Sequence, residues 1–220
     1  MRIVGVLPMA GSGSRLGLPF HKSLAPTFDD HGQVVPLFRH AYERLSFITE
    51  HIVSVLAPAG ALDPCMLAIP RPVLVKKEPG ESPSSIALAA SQFPGSWLAM
   101  VFPDSIWYPK DGLKTAVDVL SQYGDEIDGV LVDFMAPGNM LDTVLTEDGY
   151  VRAIMQKAKE HTSLVEGWGA FIVKSDLAVN WDDRLYLSDN LQKMRLRTVL
   201  LDGPYRDLGT PEAYREELRR

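Results

Sequence analysis

Short apolar runs alternate with segments of helical periodicity through the first two thirds of the chain. The runs end at glycine, proline or aspartate, which is typical of buried strands that stop at turns. They predict strands at residues 3–7, 51–57, 73–75, 97–102 and 129–134. Between them, apolar residues recur at helical spacing and predict helices at residues 36–48, 84–93 and 112–123. Strands that alternate with helices indicate a parallel sheet with helices on its faces.

The last third of the chain has a different pattern. Two alternating runs, 143–146 and 150–155, flank Asp148-Gly149, which predicts a β-hairpin. Further elements are expected as strands at 169–173 and 198–201, and as helices at 183–195 and after Thr210-Pro211-Glu212. Together the elements predict one α/β domain over residues 1–220, with a mixed, mostly parallel sheet and helices on both faces.

The composition fits one folded domain. Apolar residues make up 46% of the 220 residues, and no apolar run approaches the ~20 residues of a membrane span. Cys65 is the only cysteine, so no intrachain disulfide forms and we expect a reducing, cytoplasmic environment. The net charge of −6 without a basic block argues against nucleic acid as a partner, so an anionic ligand needs a local cluster of positive groups.

The stretch after the first strand is suited to a polyphosphate. It reads Gly11-Ser12-Gly13-Ser14-Arg15 and continues through Gly17 to Lys22. Glycines allow tight turns that bring backbone N–H groups close to an anion, while the serines, Arg15 and Lys22 add donors and charge. Two familiar phosphate loops do not fit. Gly17 comes one residue too late for the dinucleotide fingerprint, and His21 stands where the Walker pattern needs glycine.

The same stretch, LPMAGSGSRLGLPFHKSLAP, resembles the signature of sugar-1-phosphate nucleotidyltransferases, roughly L-A-G-G-x-G-S/T-R-L-x-P followed by K-x-L-x-P. Pro8-Met9 and His21 depart from that signature. The resemblance implies a Rossmann-like (GT-A-like) fold. It also implies a Mg²⁺-dependent enzyme that transfers a nucleoside monophosphate from a nucleoside triphosphate to a sugar-1-phosphate and releases pyrophosphate. By the same resemblance, Gly11, Ser12, Gly13 and Ser14 bind the nucleotide phosphates, and Arg15 and Lys22 are catalytic.

Two aspartates are candidate metal ligands. Asp104, in VFPDSIWYP, follows an apolar strand at the point where the strand leaves the core, and a carboxylate there is solvated or bound. Asp207, in YRDLGTPEAY, lies in a segment that resembles the family's W/Y-x-D-x-G-T-P-E. The resemblance implies that both bind Mg²⁺, which takes few protein carboxylates. The alternatives are a turn-starting aspartate at Asp104 and an acid ahead of a helix N-terminus at Asp207.

The residues expected to bind the acceptor substrate, the sugar-1-phosphate, follow from the resemblance. The hairpin that ends in Gln156-Lys157 is similar to a family hairpin that ends in Glu-Lys-Pro, which implies that Lys157 contacts the acceptor phosphate and Gln156 the sugar. VEGWGAFIV resembles a family strand in which Gly169 leaves room for a sugar ring. Glu166 is a candidate for the carboxylate that Gln156 lacks. Trp168 is expected to stack on the sugar or to pack in the core.

The sequence does not determine which nucleobase is bound or which phosphate compound is the acceptor. Glu81 lies in the loop before the predicted helix at 84–93, where thymidylyl- and uridylyltransferases place a glutamine, and it is a nucleotide-binding candidate. The alternatives are a cytidylyltransferase for an alcohol phosphate or phosphocholine, and a non-catalytic relative that binds sugar nucleotide as a regulator. A metal-dependent glycosyltransferase is disfavoured because Ser105-Ile106 follows Asp104, where that class usually carries Asp-x-Asp. A homo-oligomer also stays open.

Overall fold

The computed structural model describes residues 1–11, 16–18, 21–57, 73–75, 82–157 and 163–219. Within them the strands are β1 (Ile3–Met9), β2 (Pro26–Phe28), β3 (Val34–Pro36), β4 (Ile52–Leu56), β5 (Val73–Val75), β6 (Trp97–Val101), β7 (Ser105–Trp107), β8 (Gly129–Pro137), β9 (Thr143–Glu147), β10 (Tyr150–Met155), β11 (Leu164–Lys174), β12 (Leu196–Leu201) and β13 (Tyr205–Asp207). The helices are α1 (Phe38–Ser46), α2 (Ser82–Gln92), α3 (Leu113–Tyr123), α4 (Ser175–Ala178), α5 (Leu187–Leu191) and α6 (Pro211–Glu217), with a 3₁₀ turn at Lys22–Leu24.

A mixed sheet organises the described residues. Its nine strands lie in the order β5-β4-β1-β6-β11-β8-β12-β10-β9, and β2–β3 and β7–β13 form two small sheets beside it. The mixed α/β class is confirmed. Of the nine described strands of the large sheet, seven run in the same direction and β10 and β11 run opposite, so four pairings are parallel and five are antiparallel. The reason is β11, which follows the β9–β10 hairpin without a helical crossover and runs antiparallel between β6 and β8.

Helices cover both faces of the sheet, as predicted. On one face, α1 and α3 pack through Leu45 and Leu120 against a layer that includes Leu7. On the other face, α2 and α5 pack through Ile86 and Leu191. Each apolar run serves both faces, because alternate residues of β1 belong to the two clusters, with Leu7 on one face and Val4 and Val6 on the other. Within the part of the chain that the structure describes, no helix is long and apolar enough to cross a membrane.

Two local predictions are confirmed in atomic detail. Asp148 and Gly149 both have positive φ, 53° and 75°, which a two-residue hairpin turn of type I′ requires. Thr210 caps α6, and its hydroxyl accepts a hydrogen bond from the backbone N–H of Ala213 at 3.3 Å. Pro211 occupies the first turn of that helix, where its missing N–H costs nothing.

Some boundaries differ from the predicted ones. The helix expected at 183–195 is only α5, because the Asn190 side chain bonds the backbone of Asp182 and Tyr186 and holds that segment in a turn. Pro36 ends β3 instead of starting a helix. The strand expected at 169–173 is the longer β11, which stays paired with β8 along most of its length and contributes Trp168 to the wall of a cleft.

Candidate active site

A cleft of about 960 Å³ opens where β1 and β6, which run parallel, reach their carboxyl ends. Ligands bind at this edge in open α/β sheets because the strands deliver loops and side chains there. Its polar lining includes residues from seven separate parts of the chain, namely Gly11, His21-Lys22, Asp104, Asp142, Gln156-Lys157, Ser188 and Asp207. Four predicted site residues with charged side chains, Lys22, Asp104, Lys157 and Asp207, therefore meet in one space.

The glycine-rich segment that follows β1 begins at Gly11, on the wall of this cleft. Gly11 lines it, whereas Ser12, Gly13, Ser14, Arg15 and the base-loop candidate Glu81 lie outside the described residues. His21 Nε2 donates to the Gly11 carbonyl at 2.8 Å, and His21 Nδ1 accepts from the backbone N–H of Ser23 at 3.3 Å. His21, which departs from the family signature, thus links Gly11 to the 3₁₀ turn that carries Lys22.

Asp104 and Asp207 are neighbours although they lie far apart in the chain. β7 and β13 pair so that Asp207 is opposite Ser105, and the backbone N–H of Leu208 donates to the Asp104 carbonyl at 2.8 Å. Burial raises the pKa of the Asp207 carboxyl, and the charge of Asp104 raises it further. A cation placed between the two carboxylates would relieve this repulsion.

Lys22 forms a close ion pair with one of the two acids. Its Nζ lies 2.5 Å from Asp104 Oδ2, and the Asp104 side chain is about nine-tenths buried. The charges of Lys157 and Lys22 both act on Asp207 and lower its pKa, against the larger effect of burial. Both lysines therefore lie close enough to the acidic pair for their charges to act on it, and positive charge of this kind is what a phosphoryl group in the cleft needs.

The residues present fit a Mg²⁺ ion better than a transition metal. Among the described residues, no group of three or more histidine, cysteine or acidic side chains converges on one point. Two carboxylates in a wide polar cleft leave the remaining positions to water and phosphate oxygens, which is how Mg²⁺ is usually held. Asp104 and Asp207 are the side chains that would bind it.

Two predicted acceptor residues line the cleft. Gln156 and Lys157 follow β10 directly, and Lys157 Nζ donates to the Met140 carbonyl at 3.1 Å. Trp168 is 4% exposed and packs on Phe102, which confirms the predicted core position, and it also contributes to the cleft wall. Its stacking on a sugar stays a prediction.

Two other acceptor candidates lie elsewhere. Glu166 is on β11 outside the cleft lining, next to the buried Asp133 of β8, whose pKa it helps to raise. At Gly169 the interpretation needs correction, because the ring that lies against its backbone is that of Tyr205 rather than a ligand. A Cβ at Gly169 would overlap this ring, so the glycine is required behind the cleft wall.

Sequence reasoning missed Asp142 and Ser188. Asp142 accepts from the Lys157 backbone N–H at 3.0 Å and from the Ser188 hydroxyl, and Ser188 Oγ accepts from Trp168 Nε1 at 3.2 Å. These residues are 15 to 46 positions apart in the chain. Neither lies in a recognisable motif, so only the fold brings them together.

Solved structures resemble this protein, whereas comparisons of its sequence find no match. No protein-family model and no curated protein matches the chain. A Bacillus anthracis protein described as a glucose-1-phosphate thymidylyltransferase, in complex with sucrose, superposes with a TM-score of 0.78 at 15% identity, covering 99% of this chain and 94% of that one. HddC from Yersinia pseudotuberculosis, complexed with GMP-PN, gives a TM-score of 0.75 at 16% identity, with 100% and 99% covered.

A UTP-bound UGPase from Acinetobacter baumannii gives a TM-score of 0.74 at 14% identity, with 100% of this chain and 93% of that chain covered. The likeness extends over nearly the whole length of each protein. At this identity it establishes the fold, and it agrees with the motif-based resemblance of the sequence. The chain thus has the fold of the sugar-1-phosphate nucleotidyltransferases.

Proposed function

We propose that this protein is a nucleotidyltransferase that joins a nucleoside monophosphate to a sugar-1-phosphate, with Mg²⁺ as its metal. The observation that carries the proposal is the Lys22–Asp104 contact at 2.5 Å beside Asp207, in the cleft that Gly11 and Lys157 also line. Two acids, two lysines and the start of a glycine-rich segment are what a triphosphate and a second phosphate together require. The fold shared with nucleotidyltransferases supports the same reaction.

The proposed reaction is an in-line substitution at phosphorus. An oxygen of the acceptor phosphate forms a bond to the α-phosphorus of the triphosphate, the bond from that phosphorus to the α–β bridging oxygen breaks, and pyrophosphate leaves. The attacking oxygen is already anionic near neutral pH, so the reaction needs no general base. This agrees with the role of His21, whose two ring nitrogens are engaged by Gly11 and Ser23.

Each residue then has an electrostatic task. Lys22 stabilises the charge that builds on the α-phosphate, and Lys157 screens the incoming phosphate from repulsion. Gly11 and the following residues up to Ser14 hold the β- and γ-phosphates, and Arg15 stabilises the departing pyrophosphate. Asp104 and Asp207 would hold Mg²⁺, which supplies positive charge to the phosphates when bound.

The test is a matrix of four nucleoside triphosphates against several acceptors, scored by pyrophosphate release with and without Mg²⁺. The acceptors are neutral sugar-1-phosphates, phosphocholine and an alcohol phosphate. Release that requires one triphosphate, one sugar-1-phosphate and Mg²⁺ supports the proposal. Release only with phosphocholine or the alcohol phosphate would favour a cytidylyltransferase of that type. No release, combined with tight binding of a sugar nucleotide, would favour a regulator.

A further inference from the structure

Asp142 lies in the loop between β8 and β9, on the acceptor side of the cleft. It is half-buried and lines the cleft together with Gln156, Lys157 and Trp168. We propose that Asp142 selects the acceptor by accepting hydrogen bonds from the hydroxyl groups of a neutral sugar phosphate and by excluding acceptors that carry a second anionic group at this end. This inference rests on the proposed function and specifies the substrate class of the same site.

The orientation of the Asp142 carboxylate is fixed from two sides. Oδ1 accepts from the backbone N–H of Lys157 at 3.0 Å, and Oδ2 accepts from the Ser188 hydroxyl. Trp168 Nε1 donates to Ser188 Oγ at 3.2 Å. Because an indole N–H can only donate, Ser188 Oγ accepts that bond and directs its own proton to Asp142. The chain of bonds runs in one direction and holds the carboxylate in place.

The carboxylate retains capacity for a ligand. An ionised carboxylate has about four lone-pair sites, of which these two bonds use two. The remaining sites only accept hydrogen bonds, so the ligand group that meets them must donate one. Sugar hydroxyls donate, whereas a ligand carboxylate or second phosphate does not and is repelled by the Asp142 charge.

Lys157 connects this selecting group to the reaction centre. Its backbone N–H holds Asp142, and its ammonium charge acts on Asp207. An acceptor whose phosphate meets the Lys157 ammonium therefore places its hydroxyl groups near Asp142. The sequence suggested Glu166 as the acceptor-side carboxylate. In the structure Asp142 lines the cleft and Glu166 does not.

The decisive variant is Asp142→Asn, which keeps the size of the side chain and one acceptor oxygen but replaces the other oxygen with a donor. Two acceptors are compared, a neutral hexose-1-phosphate and the corresponding hexuronic acid 1-phosphate, which differ by one carboxylate. A hydrogen bond to a charged group contributes about 1.5–3 kcal/mol, so we expect the kcat/KM preference for the neutral acceptor to fall by roughly 10- to 100-fold. The KM for the triphosphate should stay within about twofold, because Asp142 lies on the acceptor side of the cleft.

Two further variants separate selection from general damage. Asp111→Asn changes an exposed aspartate that pairs with Lys114 away from the cleft, and it should leave both acceptors unaffected. Ser188→Ala removes the group that orients Asp142 and should reduce the same preference to a smaller extent. An unchanged preference in Asp142→Asn overturns the proposal, as does a wild type that uses the hexuronic acid 1-phosphate as well as the neutral hexose-1-phosphate.

Failure of the proposed function gives a different result, namely no pyrophosphate release by the wild type with any sugar-1-phosphate. Calorimetric titration of the two hexose derivatives into wild type and Asp142→Asn then tests the selection alone. Weaker binding of the neutral compound to the variant, with no loss for the uronate, supports the inference. Equal affinities in the two proteins overturn it.

Discussion

His21 and Lys22 are neighbours in the chain, and each is held by a different part of the cleft. His21 bridges the Gly11 carbonyl and the Ser23 backbone N–H, while the Lys22 ammonium lies against Asp104. The ion pair is largely buried, so water screens it little and each partner positions the other. At the scale of single residues, the site depends on charges held close together rather than on a proton-transferring group.

Replacement of Lys22 by alanine should lower kcat by about 10²–10³, which is the usual effect of removing one preorganised electrostatic contact to a transition state. The reason is that Lys22 supplies the cation at the α-phosphate. The measurement is pyrophosphate release at saturating substrates, with circular dichroism to confirm that the variant is folded. Lys114→Ala, an exposed lysine outside the cleft, is the matched control. Near-normal turnover of Lys22→Ala would refute the assignment.

Asp133 is a buried acid that the proposed reaction does not use. It is fully buried on β8, neither carboxyl oxygen makes a well-formed hydrogen bond, and Glu166 and Thr198 are among its polar neighbours. Burial raises the pKa of Asp133 well above its ordinary value, and the charge of Glu166 adds to that effect. The folded protein therefore retains a proton that the unfolded chain releases near pH 4.

The sign of the pH effect follows from this difference. Between the unfolded pKa of about 4 and the raised folded pKa, the native state binds more protons than the unfolded state, so stability falls as pH rises. Asp133→Asn should remove up to about 1.4 kcal/mol per pH unit of that fall. Urea unfolding of both proteins at pH 5, 6, 7 and 8 measures it. Parallel pH dependences would show that Asp133 is ionised at neutral pH in the folded protein.

At the scale of elements, the short strands β7 and β13 determine the position of the metal candidates. Their pairing brings Asp207 next to Asp104. Arg44 of α1 holds β7 in position by donating to the Trp107 carbonyl. Arg44 is fully buried, and burial lowers its pKa to about 10. A buried cation that bonds a strand's backbone is costly, which indicates that the position of β7 is closely constrained.

Substitution of Gly169 tests whether the packing of β11 against Tyr205 determines the position of β13. Its Cα faces the rings of Tyr205 and Phe134, so Gly169→Ala forces Tyr205, and with it β13, to move. Overpacking of this kind typically destabilises by about 1–3 kcal/mol, and we expect denaturant unfolding to show a loss in that range. The loss should be smaller in a Tyr205→Leu background, where the ring is absent. An equal loss in both backgrounds would mean that the added methyl acts elsewhere.

The sequence predicts much of this architecture because its signals are local. Apolar runs identify β1, β4, β6 and β8, and the Asp148-Gly149 pair identifies the hairpin. Features that depend on contacts between distant segments of the chain could not be predicted from the sequence. The pairing of β7 with β13 and the direction of β11 are set by tertiary contacts of short segments.

The residues of the candidate site also fall into two groups, those that a local motif predicts and those that only the fold brings together. Lys22, Asp104, Lys157 and Asp207 were found because each lies in a segment that resembles a family motif, and all four line one cleft. Asp142 was missed because its partners are Ser188 and the backbone of Lys157, which the sequence does not connect to it. Glu166 and Gly169 were assigned from a strand motif, but their surroundings depend on how β11 packs against β8 and Tyr205.

At the scale of the whole molecule, charge opposes the proposed ligand. The chain has a net charge of −6, and the described part of the cleft wall carries Asp104, Asp142 and Asp207 against Lys22 and Lys157. A triphosphate that approaches without a metal meets this negative field, and only part of it is offset locally. Nucleotide binding should therefore depend on a divalent cation more strongly than a net-positive phosphate site would.

Thermal unfolding measures this dependence on the intact protein. A ligand at 100 times its Kd stabilises the folded state by about 2.7 kcal/mol, and for a chain of this size that corresponds to roughly 5–10 °C in Tm. We expect a shift of this order with the preferred triphosphate and Mg²⁺, and less than half of it with the triphosphate and EDTA. The double variant Asp104→Asn with Asp207→Asn should show no Mg²⁺-dependent gain, whereas Asp111→Asn should behave as wild type. An equal shift with and without Mg²⁺ would mean that groups other than the acidic pair neutralise the triphosphate.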